Sequence, residues 1–170
     1  MARPDRTPWQ VATRFDDDGG SAAVAGDRSE SDGELERLVY VSRAAPGLDT
    51  TGVYAIIRHA HAGNAVSGVT GALVFLDGWF VQLLEGPVAA LDARLASIRR
   101  DPRHGGLELR QRERVHARVF AGQPMALRTR VCLDAGLLEA FGYRPGFPVA
   151  DFPADALVEF VAQACRRRAG

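Results

Sequence analysis

The sequence predicts an α+β fold in which five strands form one sheet and two helices cover one of its faces. Asp77-Gly78 lies between two apolar runs, which is typical of a tight hairpin because both turn positions require positive φ. One stretch with helical periodicity precedes this hairpin and another follows it. Short runs rich in β-branched and aromatic residues flank the two helical stretches, as expected for further strands.

The first strand is predicted in "RLVYVS", residues 37–42, whose composition favours extended backbone. The first helix follows in "TTGVYAIIRHAHAGN", residues 50–64, and one of its two leading threonines is expected to cap it. Gly63 and Asn64 are predicted to end this helix, because both residues tolerate left-handed backbone. The expected buried stripe of the helix consists of Val53, Ile56, Ile57 and Ala60.

The hairpin "GVTGALVFLDGWFVQLLEG", residues 68–86, has strands that are apolar on both faces. This pattern predicts a central hairpin, covered on its second face by C-terminal helices or by a partner. Pro87 is expected to open the second helix, which ends at Asp101-Pro102. Residues 107–120 and 124–133 are predicted to contain the last two strands.

Right-handed crossovers in a β-α-β-β-α-β-β chain place both helices on the same sheet face, which is the ferredoxin-like arrangement. Residues 34–131 are predicted to form this domain. Residues 1–33 are rich in Gly, Ser and Asp without an apolar period, and we expect a disordered extension there. Residues 132–170 are predicted to form helices that cap the far face of the sheet.

Composition excludes several classes of function. The chain has 21 basic and 21 acidic residues, so a nucleic-acid partner is not predicted. Cys132 and Cys165 form no pairing framework, which favours a reducing compartment. No apolar run reaches the ~18–20 residues of a membrane span and no signal peptide is evident, so a cytoplasmic protein without a membrane partner is expected. The four histidines lack the spacing of metal ligands, and no metal site is predicted.

Gln82 is a polar residue within an otherwise apolar strand sequence. Because alternate side chains share a strand face, Tyr40 and Gln82 can point into one layer if that face carries the helices, with Asn64 nearby. Carboxamides offer a donor and an acceptor, which suits a planar heterocycle with N–H and C=O groups. The residues alone leave two interpretations open: the three side chains bind such a ligand, or each is satisfied within the protein core.

Tyr40, Asn64 and Gln82, taken with their flanking residues, resemble the BLUF family of flavin-based blue-light sensors. The pattern N-x-x-x-x-x-T-G-x-L begins at Asn64, and F-x-Q-x-L-E-G begins at Phe80. The stretches "LVYVS", "IRRDPRH" and "FAGQPMAL" also match, and the resemblance extends over about residues 36–130 without a gap. Within this family the likeness is greatest to the BLUF domain of purple-bacterial light- and redox-responsive antirepressors.

The resemblance implies a flavin, usually FAD, between the two helices. It implies that Tyr40 donates an electron and then a proton to the photoexcited ring, and that Gln82 switches between Tyr40 and flavin N5/O4. Asn64 would bond the N3/O4 edge of the ring, and Met125 of the fifth strand would sense the change in Gln82. The other implied cofactor contacts are Ile56, Ala60 and Ile98 beside the ring, and Arg103 and His104 near its ribityl and phosphate tail.

Two places depart from the family pattern. Gln123 stands where the family often has a tryptophan, which leaves open how the signal leaves the pocket. The first helix begins in "DTTGVY", residues 49–54, where the family often has an Arg or Lys close to the phosphates. FMN and riboflavin are therefore alternatives to FAD as the cofactor.

The resemblance thus implies a blue-light photoreceptor that is a switch and not an enzyme. It would signal to an unidentified downstream protein, with a homodimer left open. One alternative is a flavin-free BLUF relative that acts only as a protein-interaction module. Another is an enzyme on the same architecture, such as an acylphosphatase-like hydrolase. That enzyme needs a phosphate-binding loop after the first strand, and Arg43 in "SRAAPG" has no glycine run beside it.

Overall fold

A computed structural model of the chain describes residues 34–145 and 151–166. The predicted disordered extension, residues 1–33, lies outside the described residues. The strands are β1 (Leu35–Ala44), β2 (Thr70–Leu76), β3 (Trp79–Pro87), β4 (His104–Arg114) and β5 (Ala126–Thr129). The helices are α1 (Thr50–Ser67), α2 (Val88–Arg100), α3 (Ala135–Ala140) and α4 (Ala154–Cys165), and a 3-10 turn spans Arg130–Cys132.

The five strands form one sheet in the order β4-β1-β3-β2-β5. The pairs β1–β3, β1–β4 and β2–β3 are antiparallel, whereas β5 runs parallel to β2 at the edge. Asp77 and Gly78 both have positive φ, at 49° and 80°, as the β2–β3 hairpin requires. The predicted α+β, ferredoxin-like fold is therefore confirmed, with β5 added beside β2.

The prediction for the ends of α1 was wrong at both termini. Asp49 caps the N-terminus, where its carboxylate accepts a hydrogen bond from the Gly52 N–H at 2.8 Å. The helix continues past Gly63 and Asn64 to Ser67 and ends at Gly68, whose φ of 67° supplies the left-handed cap. Asn64 consequently lies inside the helix, and its buried side chain projects from the helix surface.

The strands after α2 also differ from the prediction. β4 begins at His104, three residues before the predicted start at Leu107, so His104 belongs to the sheet. β5 contains only four residues, and Met125 lies immediately before it. No helix within residues 34–145 and 151–166 is long and apolar enough to cross a membrane.

The sheet separates two apolar layers, as the apolar pattern of the hairpin strands predicts. Leu38, Tyr40, Phe80 and Leu84 face α1 and α2. On the other face, alternate residues such as Val39 and Val81 pack against α3 and α4. The largest side chains of this second layer are Trp79, Phe120, Phe141, Tyr143, Phe152 and Phe160. Each fully buried aromatic or aliphatic side chain contributes about 1.5–3 kcal/mol of transfer free energy, so both layers stabilise the sheet.

Glu85 anchors the long segment between β4 and β5. Its carboxylate is fully buried and accepts hydrogen bonds from the Val119 and Phe120 N–H groups at 3.0 and 2.9 Å. Arg37 Nε donates to the same carboxylate at 2.8 Å. A buried carboxylate needs several donors, because the free energy lost when it leaves water can exceed the free energy gained from pairing with one cation. The segment that ends at Met125 is thereby tied to the C-terminal part of β3.

We predict that Glu85→Gln lowers the free energy of unfolding by about 3 kcal/mol. The amide would present N–H donors to a backbone N–H group and leave the guanidinium of Arg37 without its buried counter-charge. Urea denaturation monitored by circular dichroism measures the change. Glu113→Gln is the matched control, because Glu113 lies 3.6 Å from Arg37 but its carboxylate side chain is 40% exposed. An equal loss in the two variants would contradict the anchoring role of Glu85.

Candidate functional site

A cavity of about 440 Å³ lies between α1 and α2, with β3 as its floor. Apolar side chains of the two helices line this cavity together with polar ones, among them His59 on α1 and Ser97 on α2. Seven of the eight predicted cofactor contacts line the cavity: Ile56, Ala60, Asn64, Gln82, Ile98, Arg103 and His104. The eighth, Tyr40, lies behind Gln82. The sequence-predicted residues are therefore brought together, and their individual roles stay predictions.

Tyr40 and Gln82 are directly opposite each other on the antiparallel strands β1 and β3. The Tyr40 hydroxyl donates to Gln82 Oε1, and Gln82 Nε2 donates to Met125 Sδ at 3.4 Å. An amide nitrogen carries two protons, so Gln82 retains one donor for a group in the cavity. The glutamine thus connects a phenol, a thioether and the cavity.

Tyr40 is fully buried, and this burial raises the pKa of its hydroxyl far above the usual value. The negative charge of Asp101 raises that pKa further. The phenol therefore stays protonated across the physiological range and acts as a hydrogen-bond donor to Gln82. Loss of the phenolic proton becomes favourable only if the ring first loses an electron, because an oxidised phenol is a strong acid.

Asn64 connects α1 to the same segment that Gln82 contacts. Its side chain is buried, and Nδ2 donates to the Pro124 carbonyl oxygen at 2.9 Å. Because Pro124 and Met125 are adjacent, the two carboxamides of the cavity bond to neighbouring residues of one short segment. The Gln123 carbonyl oxygen accepts a hydrogen bond from the Gly71 N–H at 3.0 Å, which ties this segment to β2.

His104 fills the corner where the cavity meets the end of β1. Its Nδ1 lies 3.0 Å from Ser42 Oγ, and its ring centroid lies 4.6 Å from that of Phe80 with the two planes tilted by 39°. Burial lowers the pKa of His104, and the nearby Arg103 lowers it as well, although Asp101 opposes them. His104 therefore presents a neutral imidazole to the cavity at neutral pH.

Arg103 does not present a free charge to the cavity. Its Nε and Nη2 atoms donate to Asp101 at 2.9 and 2.6 Å, in the bidentate geometry that suits a guanidinium and a carboxylate. Hydrogen bonds from Arg103 lower the pKa of Asp101 to about 2. The predicted contact of Arg103 with a phosphate tail would therefore have to compete with a carboxylate that is already in place.

Sequence reasoning missed Arg94, which also lines the cavity. Arg94 precedes Ile98 by four residues on α2, so both residues lie on one helix face. That spacing could have indicated that Arg94 also faces the ligand, because Ile98 was already predicted to flank the ring. An arginine on an amphipathic helix is usually assigned to the solvent-exposed face, which explains the omission.

The arrangement suits a planar, partly polar ligand. The walls combine apolar side chains, such as Ile56 and Ile98, with polar ones, such as Arg94. The carboxamides of Asn64 and Gln82 also line the cavity. A buried phenol stands one hydrogen bond away from the cavity. No group of three or more His, Cys, Asp or Glu side chains within residues 34–145 and 151–166 is arranged to hold a metal ion.

A family model described as "Sensors of blue-light using FAD" matches residues 35–126. The chain belongs to the BLUF family. The domain is a blue-light sensor that binds flavin. Photoactivated adenylate cyclase subunit alpha of Euglena gracilis is 41% identical over 73 residues, which are 43% of this chain and 7% of that protein. Subunit beta from the same organism is 38% identical over 86 residues, 51% of this chain and 9% of that protein.

Solved structures agree with this assignment. The dark-state structure of BlrB, a BLUF protein, has 28% sequence identity, covers 77% of this chain and 94% of its own, and superposes with a TM-score of 0.63. Klebsiella pneumoniae BlrP1 with FMN and cyclic diGMP has 29% identity and a TM-score of 0.59, over 75% of this chain and 34% of its own. The photo-activated state of BlsA, at 20% identity and a TM-score of 0.70 over 79% of this chain and 96% of its own, shows the shared fold.

Proposed function

We propose that this chain is a photoreceptor switch in which a flavin occupies the cavity between α1 and α2 and light alters the hydrogen bonds of Gln82. The observation that carries the proposal is the Tyr40–Gln82–Met125 chain of contacts at the cavity floor. It places an oxidisable phenol, a rotatable carboxamide and the start of β5 in one continuous path. The family assignment supports the same interpretation.

A bound flavin supplies a strong one-electron oxidant when it absorbs blue light. Tyr40 lies one hydrogen bond from the cavity floor, and its bond to Gln82 gives its proton an acceptor as the electron leaves. Gln82 can then rotate or tautomerise, which exchanges its donor and acceptor positions. Asn64, buried beside the cavity, would bond the N3/O4 edge of the ring and keep it aligned with Gln82.

The proposed output runs from Met125 to the far face of the sheet. Met125 precedes β5, and Arg128 of β5 donates from Nε to the Ala164 carbonyl oxygen of α4 at 3.1 Å. A change in the Gln82–Met125 contact can therefore reach the C-terminal end of α4 through one short strand. Gln123 would take part through its backbone bond to β2, since it lacks the aromatic side chain common in the family.

We propose that the BLUF domain acts as a sensor and not as an enzyme, and that it signals to an unidentified partner protein in the cytoplasm, with a homodimer as one form of that assembly. The chain spans less than a tenth of the length of the two Euglena cyclases, and it matches them within the BLUF domain, which is itself a sensor. The likeness to antirepressors stays a prediction.

Variants of Tyr40 and Gln82 test the proposed photochemistry. Tyr40→Phe and Gln82→Ala should each abolish the reversible, light-induced red shift of the flavin absorption while flavin stays bound, because the electron donor or the switching amide is missing. Absorption spectra before and after blue light measure this shift. Trp79→Phe is the control, since Trp79 packs on the opposite face of β3, and it should retain the shift.

A normal shift in either site variant would refute the assigned roles of Tyr40 and Gln82. A protein that stays colourless and takes up neither FAD, FMN nor riboflavin would refute flavin binding altogether. That result would favour the flavin-free interaction module instead.

The Asp101–Arg103 ion pair affects which flavin binds. Because Asp101 neutralises Arg103, the three flavins should bind with affinities within about tenfold of one another, since a partly exposed charge contact adds little. Asp101→Asn frees the guanidinium and should increase the preference for FMN over riboflavin about three- to tenfold. Fluorescence titration with both flavins measures the ratio. An unchanged ratio would show that Arg103 does not face the phosphate. Glu108→Gln, at an exposed site on β4, is the control.

A further inference from the structure

Arg94 and Gly63 meet across the gap between α2 and α1. A Cβ atom added at Gly63 would lie 2.3, 2.5 and 2.6 Å from Nη2, Nη1 and Cζ of Arg94. These distances are far below van der Waals contact, so the guanidinium occupies the space that any other residue at position 63 would fill. Arg94 thus reaches the backbone of α1 on the wall of the cavity.

The guanidinium of Arg94 has no hydrogen bond or ion pair within residues 34–145 and 151–166. Arg103, which also lines the cavity, pairs with Asp101, whereas Arg100 lines it from an exposed position at the end of α2. A guanidinium carries five N–H donors, and a half-buried one without an acceptor is costly unless water or a ligand supplies it. Arg94 is therefore a free cation directed at the ligand cavity.

Its place along the cavity wall indicates which part of a flavin it would meet. Gln82 and Asn64 are the two carboxamides of the cavity, and Gly63, on which Arg94 packs, is the residue next to Asn64. The edge of a flavin ring presents N5, C4=O, N3–H, C2=O and N1 in that order. If Gln82 takes N5/O4 and Asn64 takes O4/N3, the next group along the wall meets C2=O and N1.

We propose that Arg94 is a flavin-binding residue that donates to the N1/C2=O edge and tunes the reduction potential of the cofactor; this rests on the proposed flavin site. Negative charge on a reduced flavin accumulates at N1 and C2=O, so a cation there binds reduced flavin more tightly than oxidised flavin. The same charge would favour electron transfer from Tyr40. Gly63 is part of this proposed site, because only glycine leaves room for the guanidinium of Arg94.

The test uses the flavin-loaded chain and its two-electron reduction potential, measured by dye-coupled reductive titration, together with dissociation constants for oxidised FAD. Arg94→Gln should weaken binding of reduced relative to oxidised flavin about tenfold, which lowers the potential by ~30 mV for a two-electron couple. Arg94→Lys should recover part of this loss, because it keeps the charge but loses the fork of donors. Arg99→Gln, exposed on the same helix, should leave the potential unchanged.

Gly63→Ala supplies an independent arm. The added methyl group would displace the flexible end of Arg94 without removing its charge from the chain, and alanine is the better helix former at that position. We expect the potential to fall as in Arg94→Gln while the thermal stability of the flavin-free protein stays equal or rises. A purely structural role of Arg94 would lower stability and leave the potential of the bound flavin unchanged.

The outcomes separate the two proposals. If the wild-type chain binds flavin and shows the light-induced shift, but Arg94→Gln and Gly63→Ala keep the wild-type potential, the role of Arg94 is refuted and the photoreceptor proposal stands. If the wild-type chain binds no flavin, both proposals fail together.

Discussion

The buried hydrogen bond between Tyr40 and Gln82 is the interaction on which the rest of the site depends. Two polar side chains in the middle of a sheet are tolerated only when each satisfies the other, and the β1–β3 register places them directly opposite. Leu38, Phe80 and Leu84 pack in the same apolar layer as Tyr40, while Gln82 also lines the cavity. With a flavin in the cavity, a rearrangement of Gln82 must be accommodated by its protein neighbours and by the ligand.

Those neighbours belong to one short segment, and its attachments explain how a local change can be transmitted. Pro124 accepts from Asn64 and Met125 accepts from Gln82, while Glu85 holds Val119 and Phe120 a few residues earlier. The segment is therefore held by Glu85 at its start, and near its end it contacts Gln82, whose hydrogen bonds are proposed to change. β5 then carries the change across the sheet edge to α4 through Arg128. The sheet itself is packed between two apolar layers, so its strands have little room to move in response to this change.

Strand parity allowed Tyr40 and Gln82 to share one layer, and the apolar hairpin strands predicted that both faces of the sheet are covered. The other site residues, such as Met125 and His104, were predicted only through the resemblance to the BLUF family. The register that makes Tyr40 and Gln82 direct partners depends on long-range pairing and could not be derived. Asn64 was predicted to follow the first helix because Gly63 resembles a helix end, whereas the left-handed cap is at Gly68. Arg94 was missed because its contact with Gly63 depends on how two helices pack.

The central claim is that light acting on a flavin in this cavity rearranges the hydrogen bonds of Gln82. The most direct measurement is the light-minus-dark absorption spectrum of the full chain loaded with FAD, followed through recovery in the dark. The account predicts a red shift of the flavin band that forms under blue light and reverses completely in darkness. A chain that binds FAD but shows only bleaching, or no spectral change at all, would contradict it.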